Sequence, residues 1–113
     1  MVTPSAGTVV LVSFPFSDLS SHKLHPACVL ADAGRGDWIL CQITSNPYAD
    51  PHAIAIQQGH FLSGSLQRVS YARPGKLFTA SSSIIRGIAG QLNPQTLARI
   101  QRASADLILN LKS

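Results

Sequence analysis

The stretch PACVLADAGRGDWILCQITS, residues 26–45, predicts a β-hairpin. Two apolar runs rich in strand-forming residues flank AGRG, whose glycines are typical of a tight turn. A turn centred between Gly34 and Arg35 would make one face of the hairpin entirely apolar, as a buried sheet face requires. The residue pairs on that face would be Leu30 with Ile39, Cys28 with Cys41, and Pro26 with Ile43.

The other face of the hairpin becomes more polar away from the turn. Its pairs would be Ala31 with Trp38, Val29 with Leu40, Ala27 with Gln42, and His25 with Thr44. Because directly opposed side chains lie about 4.5–5.5 Å apart at Cβ, we expect His25 and Thr44 to be neighbours. A turn centred one residue later would place His25 opposite Asn46 and leave Thr44 diagonal, still within reach. A polar pair of this kind is compatible with a catalytic role or with an ordinary sheet-edge contact.

Outside the hairpin, further runs predict strands and then one helix. TVVLVSF at residues 8–14, AIAI at residues 53–56, and two runs around a turn at Arg73, Pro74 and Gly75 read as strands. Asn93 followed by Pro94 predicts a helix start. The predicted apolar helix face comprises Leu97, Ile100, Ser104, Leu107, Ile108 and Leu111. The fold class is therefore mainly β, an antiparallel sheet of about five strands curled into a small barrel, with a C-terminal helix.

Composition places the chain among globular proteins. It has 113 residues, 45% of them hydrophobic and 12% charged, which fits one domain over residues 1–113. The formal charge of +4 favours an anionic partner. Lysines and arginines form no run, so a phosphate-binding surface would be assembled from separate segments.

Several function classes find no support in the residues. The N-terminus lacks the features of a signal peptide, and no apolar stretch reaches the ~18 residues of a membrane span. Cys28 and Cys41 form no metal-binding motif, and the five aspartates, with no glutamate in the chain, form no acidic cluster. We therefore expect no metal, no cofactor, a cytoplasmic location and reduced thiols that serve packing.

Three segments in this order resemble the MazF/PemK-like toxin family. They are GTVVLVSFPFSDLSSHKLHPACVLAD at residues 7–32, DWILCQITS at residues 37–45, and SYARPGKLFTAS at residues 70–81, followed by the helix. The resemblance implies an SH3-like barrel with short helices that forms a homodimer. It also implies the toxin of a type II toxin–antitoxin pair, an endoribonuclease that cuts single-stranded RNA without metal and is blocked by an antitoxin protein.

The resemblance also implies a catalytic pair. Family members carry an arginine just before the proline that opens the second strand, and a threonine on the third strand. Those positions are His25 and Thr44 in this chain, so the threonine matches and the arginine is replaced by histidine. The loop that contains Ser17 and Asp18 resembles the family's mobile loop over the site.

Metal-free RNA cleavage uses the 2′-OH as nucleophile and leaves a 2′,3′-cyclic phosphate and a 5′-OH. It needs proton transfer at both oxygens and positive charge on the phosphorane. Histidine, with a reference pKa of about 6.5, suits proton transfer but lacks the permanent charge of arginine. We hypothesise that His25 acts as general acid or base and that Thr44, with Ser45, donates to the phosphate. Candidates for the missing charge are Lys23, Arg73 and Lys76, and His22 is a candidate for the second proton transfer.

Two other classes of function stay open at the level of sequence. His25 can mark a weakened or inactive nuclease that retains RNA binding. The barrel also occurs in gyrase-poisoning toxins related to CcdB, which act by protein contact. An assay on single-stranded RNA in EDTA separates cleavage, binding alone, and neither.

Overall fold

A computed structural model describes residues 4–13, 24–47 and 49–110. Its strands are β1 (Thr8–Ser13), β2 (Leu24–Gly34), β3 (Asp37–Thr44), β4 (Ile54–Ile56), β5 (Phe61–Gly64), β6 (Ser70–Ser81) and β7 (Ile85–Leu92). One α-helix, α1 (Pro94–Ile108), follows them, and two short 3-10 turns lie at Gln58–His60 and Ser82–Ile84. Within the described ranges, no helix has the length and apolarity needed to cross a membrane.

The strands form one curled antiparallel sheet in the order β4-β6-β3-β2-β1-β7-β5. This confirms the predicted fold class, mainly β with a C-terminal helix. The short strand predicted from AIAI is β4. The predicted number of about five strands was too low, because β5 and β7 were not recognised. Strand β7, IRGIAGQL, contains two glycines, which weaken a strand pattern.

Two hydrophobic clusters cover opposite faces of the sheet. The helix-side cluster contains Cys28, Leu30 and Cys41 together with Ile100 of α1. The outer cluster has as its buried members Val10, Val12, Ala27, Val29, Leu40, Ala80 and Ile85. Successive strand residues point to opposite faces, so β2 contributes to both clusters in turn. Each fully buried valine or leucine contributes about 1.5–3 kcal/mol, and the two clusters together fix the strands that carry His25 and Thr44.

The register of the hairpin agrees with the prediction at one end and departs from it at the other. Ala27 with Gln42, Cys28 with Cys41, and Val29 with Leu40 are paired as predicted. Nearer the turn, Ala31 faces Ile39 and Asp32 faces Trp38, so the predicted pairs of Leu30 with Ile39 and Ala31 with Trp38 are wrong.

Two compensating features explain this result. Gly34 faces Asp37, so the loop is the two-residue Arg35-Gly36, centred one residue later than predicted. Both loop residues have positive φ, 58° and 80°, as a type I′ turn requires. Two register shifts between this turn and Val29 restore the predicted pairing beyond them.

Strand β6 contains a four-residue bulge where the sequence predicted a turn. Cys41 faces Leu77 and Ile43 faces Ala72, so residues 73–76 stand opposite Gln42 alone. Pro74 is fully buried and its carbonyl accepts a hydrogen bond from Ser104 Oγ at 2.9 Å. The predicted turn between two strands is therefore wrong. The bulge packs against α1 while the strand continues along β3 on both sides of it.

Helix α1 begins as predicted. Asn93 Oδ1 accepts a hydrogen bond from the backbone N–H of Thr96 at 2.8 Å, which caps the helix. Its buried residues are Thr96, Ile100 and Ser104. Ile108 is 71% exposed, so its predicted place on the buried face is wrong, and Leu111 lies outside the described residues. The last turn of α1 extends beyond the hydrophobic core.

Candidate nucleic-acid interface

The outer face of the sheet becomes polar at the open end of the hairpin. Leu40 belongs to the outer cluster, and Gln42 and Thr44 follow it on the same face of β3. Thr44 faces Tyr71 on β6, and Tyr71 faces Ala55 on β4. We call the face that carries Gln42, Thr44 and Tyr71 the site face.

His25 lies near the start of β2. It is half-buried and faces Val12 of β1. The described pairing of β2 with β3 reaches Ala27 and Gln42, and two further residues in the same register lead to His25 and Thr44. This register supports the predicted proximity of the pair, and their catalytic role stays a prediction.

The hydroxyl of Thr44 is engaged in a local turn at the end of β3. Thr44 Oγ1 accepts a hydrogen bond from the backbone N–H of Asn46 at 3.1 Å and donates to the carbonyl of Asn46 at 3.0 Å. Such turns are a common use of threonine where a strand ends. To donate to a phosphate, this hydroxyl would turn away from the Asn46 carbonyl.

Arg73 brings a positive charge to the site face. Its Nε donates to Asp50 Oδ2 at 3.0 Å, and its NH1 donates to Gln42 Oε1 at 3.4 Å. The four-residue bulge of β6 begins at Arg73. The backbone carbonyl of Arg73 accepts a hydrogen bond from Cys41 Sγ at 3.0 Å. Of the three cations predicted to replace the missing arginine, Arg73 is thus held beside the strand that carries Thr44.

Asp50 holds Arg73 from the loop between β3 and β4. Its Oδ1 accepts the backbone N–H of His52 at 2.9 Å, and its Oδ2 accepts Arg73. These hydrogen bonds, first from the His52 backbone and then from Arg73, lower the pKa of the Asp50 carboxyl. Asp50 therefore remains ionised in mildly acidic solution and keeps Arg73 in place.

The structure places the other predicted site residues as follows. Ser45 is exposed next to Thr44, and Lys76 is exposed at the end of the β6 bulge. Ser17, Asp18, His22 and Lys23 lie outside the described residues. Sequence reasoning missed Gln42 and Asp50 as partners of Arg73. Gln42 could have been predicted, because it lies two residues before Thr44 on the same strand and therefore on the same face.

The family of the chain follows from a comparison with family models. A model of the PemK-like, MazF-like toxins of type II toxin–antitoxin systems matches residues 5–108. The chain belongs to this family. None of the curated protein sequences matches the chain.

Solved structures of this family have the same fold as the chain. The MazE–MazF complex from Deinococcus radiodurans (Form-II) superposes with a TM-score of 0.72 at 18% identity, covering 96% of this chain and 97% of the other. An endoribonuclease in complex with its cognate antitoxin, from a Mycobacterial species, gives 0.69 at 17% identity over 100% and 99%. Mycobacterium tuberculosis toxin MazF-mt6 gives 0.68 at 10% identity over 94% and 99%. These likenesses show the fold.

Proposed function

We propose that this toxin is a metal-independent endoribonuclease that cleaves single-stranded RNA, with mRNA as its target. The products are a 2′,3′-cyclic phosphate and a 5′-OH. The observation that carries the proposal is the position of Arg73 next to Gln42 on the site face. A guanidinium there supplies permanently protonated hydrogen-bond donors, which the family arginine would bring and which His25 lacks, while Asp50 balances its charge.

Arg73 can take up a phosphate without leaving Asp50. Its contact with Gln42, at 3.4 Å, is at the long end of the hydrogen-bond range, so exchanging it for a charge-assisted bond to phosphate costs little. The bond to Asp50, at 3.0 Å, continues to orient the guanidinium. Arg73 then stabilises the charge that develops on the phosphorane, together with the hydroxyl of Thr44.

In the proposed reaction the 2′-oxygen gives up its proton and forms a bond to phosphorus. The bond from phosphorus to the 5′-oxygen breaks, and that oxygen takes up a proton. His25 performs one of the two proton transfers. Ser45 and Lys76 bind the RNA next to this centre, and Ser17, Asp18 and Lys23, which lie outside the described residues, bind it as well.

The proposal extends to partners and location. The structures of family members with an antitoxin support an antitoxin partner for this chain. We propose that this partner blocks the site face. We also propose a homodimer and a cytoplasmic location, where mRNA is found.

Cleavage of a defined single-stranded RNA by the purified protein in EDTA tests the activity. We expect new ends that carry a cyclic phosphate and a 5′-OH, seen by mass spectrometry of the fragments. RNA that remains intact at high protein concentration would contradict the proposal. RNA bound but uncleaved would indicate a binding module instead.

Substitution of His25 tests its role. We expect His25→Ala to lower the cleavage rate by about 100-fold or more, as for loss of a general acid or base. The wild-type rate should change with pH between about pH 5 and about pH 9, with a bell shape if two groups titrate. A flat profile, or an unchanged rate in His25→Ala, would remove His25 from the mechanism.

His25→Arg distinguishes an adapted site from a decayed one. If histidine serves proton transfer here, the arginine variant should be slower or have a different pH profile. If the site has decayed from the family pattern, the variant should gain activity sharply.

A further inference from the structure

A cavity of about 270 Å³ lies between α1 and strand β4, around the sheet edge from the site face. Arg99, Arg102, Asp106 and Leu107 of α1 line one wall, and His52 and Ile54 line the other. Its volume is close to the ~300 Å³ lower limit of small-molecule sites, which suits one nucleotide-sized group.

The charges in the cavity favour an anion. Arg99 and Arg102 are three residues apart on α1 and are therefore neighbours on its surface. In the described part of the chain, the only ion pair within 4.0 Å joins Arg73 to Asp50, so neither guanidinium of the cavity has such a partner there. Asp106 is the acidic group of the lining, and His52 also lines the cavity, from the segment that precedes β4.

The rest of the lining is apolar. Ile54 and Leu107 both line the cavity with carbon atoms, and Leu107 is the more exposed of the two, at 36%. A nucleotide carries both kinds of group that this lining would bind: a phosphate for the arginines and a flat base for the apolar surface. Free inorganic phosphate would use the arginines alone.

The cavity is connected to the site face through a chain of hydrogen bonds. The backbone N–H of His52 donates to Asp50, and Asp50 accepts from Arg73. Arg73 in turn donates to Gln42 on the site face. His52, which lines the cavity, is therefore linked through Asp50 to Arg73.

We propose that this cavity is a subsite for a nucleotide that flanks the scissile phosphate of single-stranded RNA. Arg99 and Arg102 bind the phosphate of that nucleotide, and Ile54 and Leu107 contact its base. This inference rests on the proposed ribonuclease function, since it assigns a second contact to the same substrate.

The test is a binding measurement with an RNA that cannot be cleaved. The probe is a fluorescein-labelled single-stranded RNA of about 12 nucleotides with 2′-O-methyl at every ribose, followed by fluorescence anisotropy. The variant is Arg99→Gln with Arg102→Gln, and the matched control is Arg35→Gln at the far tip of the hairpin, with circular dichroism confirming that each variant is folded. We expect the double variant to lose about tenfold or more in affinity and the control to keep it.

Two further measurements test the assignment: the salt dependence of RNA binding, and a substitution that should strengthen RNA binding. Each lost phosphate contact lowers the slope of log K against log salt by about 0.7. Because Arg99 and Arg102 bind the same phosphate, the double variant should lose about 0.7. Asp106→Asn removes the negative charge next to the same site, and we expect it to bind the RNA more tightly. Weaker binding by Asp106→Asn would overturn the proposal.

The failure of this proposal is distinguishable from failure of the proposed function. If wild type cleaves RNA but the double variant binds the probe as wild type does, the subsite is overturned and the ribonuclease stands. If wild type neither cleaves nor binds RNA, both are overturned. A synthetic acidic peptide that binds wild type but not the double variant, while RNA affinity stays unchanged, would assign the cavity to a protein partner.

Discussion

Asp50, in the loop between β3 and β4, orients the side chain of Arg73 through an ion pair. The two are 23 positions apart in the sequence, and the carboxylate is 12% exposed. Nothing local in the sequence marks this pair, since it depends on how the loop between β3 and β4 folds back over β6. Strand register therefore allows a prediction at His25 and Thr44, whose role stays a prediction, whereas the contribution of a loop residue such as Asp50 could not be predicted.

Asp50→Asn should lower the stability of the protein in a pH-dependent way. The pKa of Asp50 is lowered on folding, so its contribution is present above the ordinary value of 3.8 and is lost as pH falls through the folded-state value. We expect wild type to melt at a higher temperature than the variant at neutral pH, and the difference to disappear in strong acid. Thermal unfolding followed by circular dichroism measures this, with Asp37→Asn as the control. A difference that persists unchanged in strong acid would contradict it.

The two cysteines should be chemically inert in the folded protein. Burial, before any other cause, raises the pKa of both the Cys28 and the Cys41 thiol to about 12. Since the thiolate is the reactive form, we expect no iodoacetamide adduct at neutral pH in native protein and two adducts in guanidinium. Mass spectrometry counts the adducts. Rapid labelling of the native protein at either cysteine would contradict the buried position.

At the scale of elements, the hairpin shows what a residue pattern can determine. The alternation of apolar residues determines which face of β2 and β3 is buried, because a slip of one residue would expose one of the two cysteines, and the predicted pairs of Ala27, Cys28 and Val29 with β3 satisfy it. The same pattern does not determine the turn, where the Gly-Arg-Gly sequence admits two centres. The two register shifts between the turn and Val29 cannot be predicted from the hairpin sequence, because they depend on how β2 pairs within the whole sheet.

Strands β5 and β7 approach each other through glycine. Gly64 faces Gly90, and a Cβ on Gly64 would meet the carbonyl of Ala89. The φ of Gly64 is also +71°, a conformation that side chains with a Cβ rarely adopt.

We expect Gly64→Ala to reduce the free energy of unfolding by about 3 kcal/mol, through backbone strain and displacement of β5. The control is Gly59→Ala, where a Cβ would meet nothing within 4 Å and φ is not in the positive range. Its effect should stay within about 1 kcal/mol. Urea denaturation measures both variants, and equal stabilities would contradict the close approach.

At the scale of the whole molecule, the two edge strands of the curled sheet are consecutive in the sequence. The edge strands β4 and β5 are separated by residues 57–60 alone. The helix cap holds this connection, because the backbone N–H of Asn93 donates to the carbonyl of His60 at 2.8 Å. A cavity of about 160 Å³, lined by Ile56 and Phe61 among others, lies where the edges meet.

This closure has a consequence for local unfolding. Each edge strand is paired along one side only, and each pairs through three residues, so few sheet hydrogen bonds hold β4 and β5. Strands β2 and β3, which carry His25 and Thr44, lie in the middle of the sheet with a partner on each side. Transient opening at the edge strands β4 and β5 would therefore leave the backbone beneath those two side chains paired.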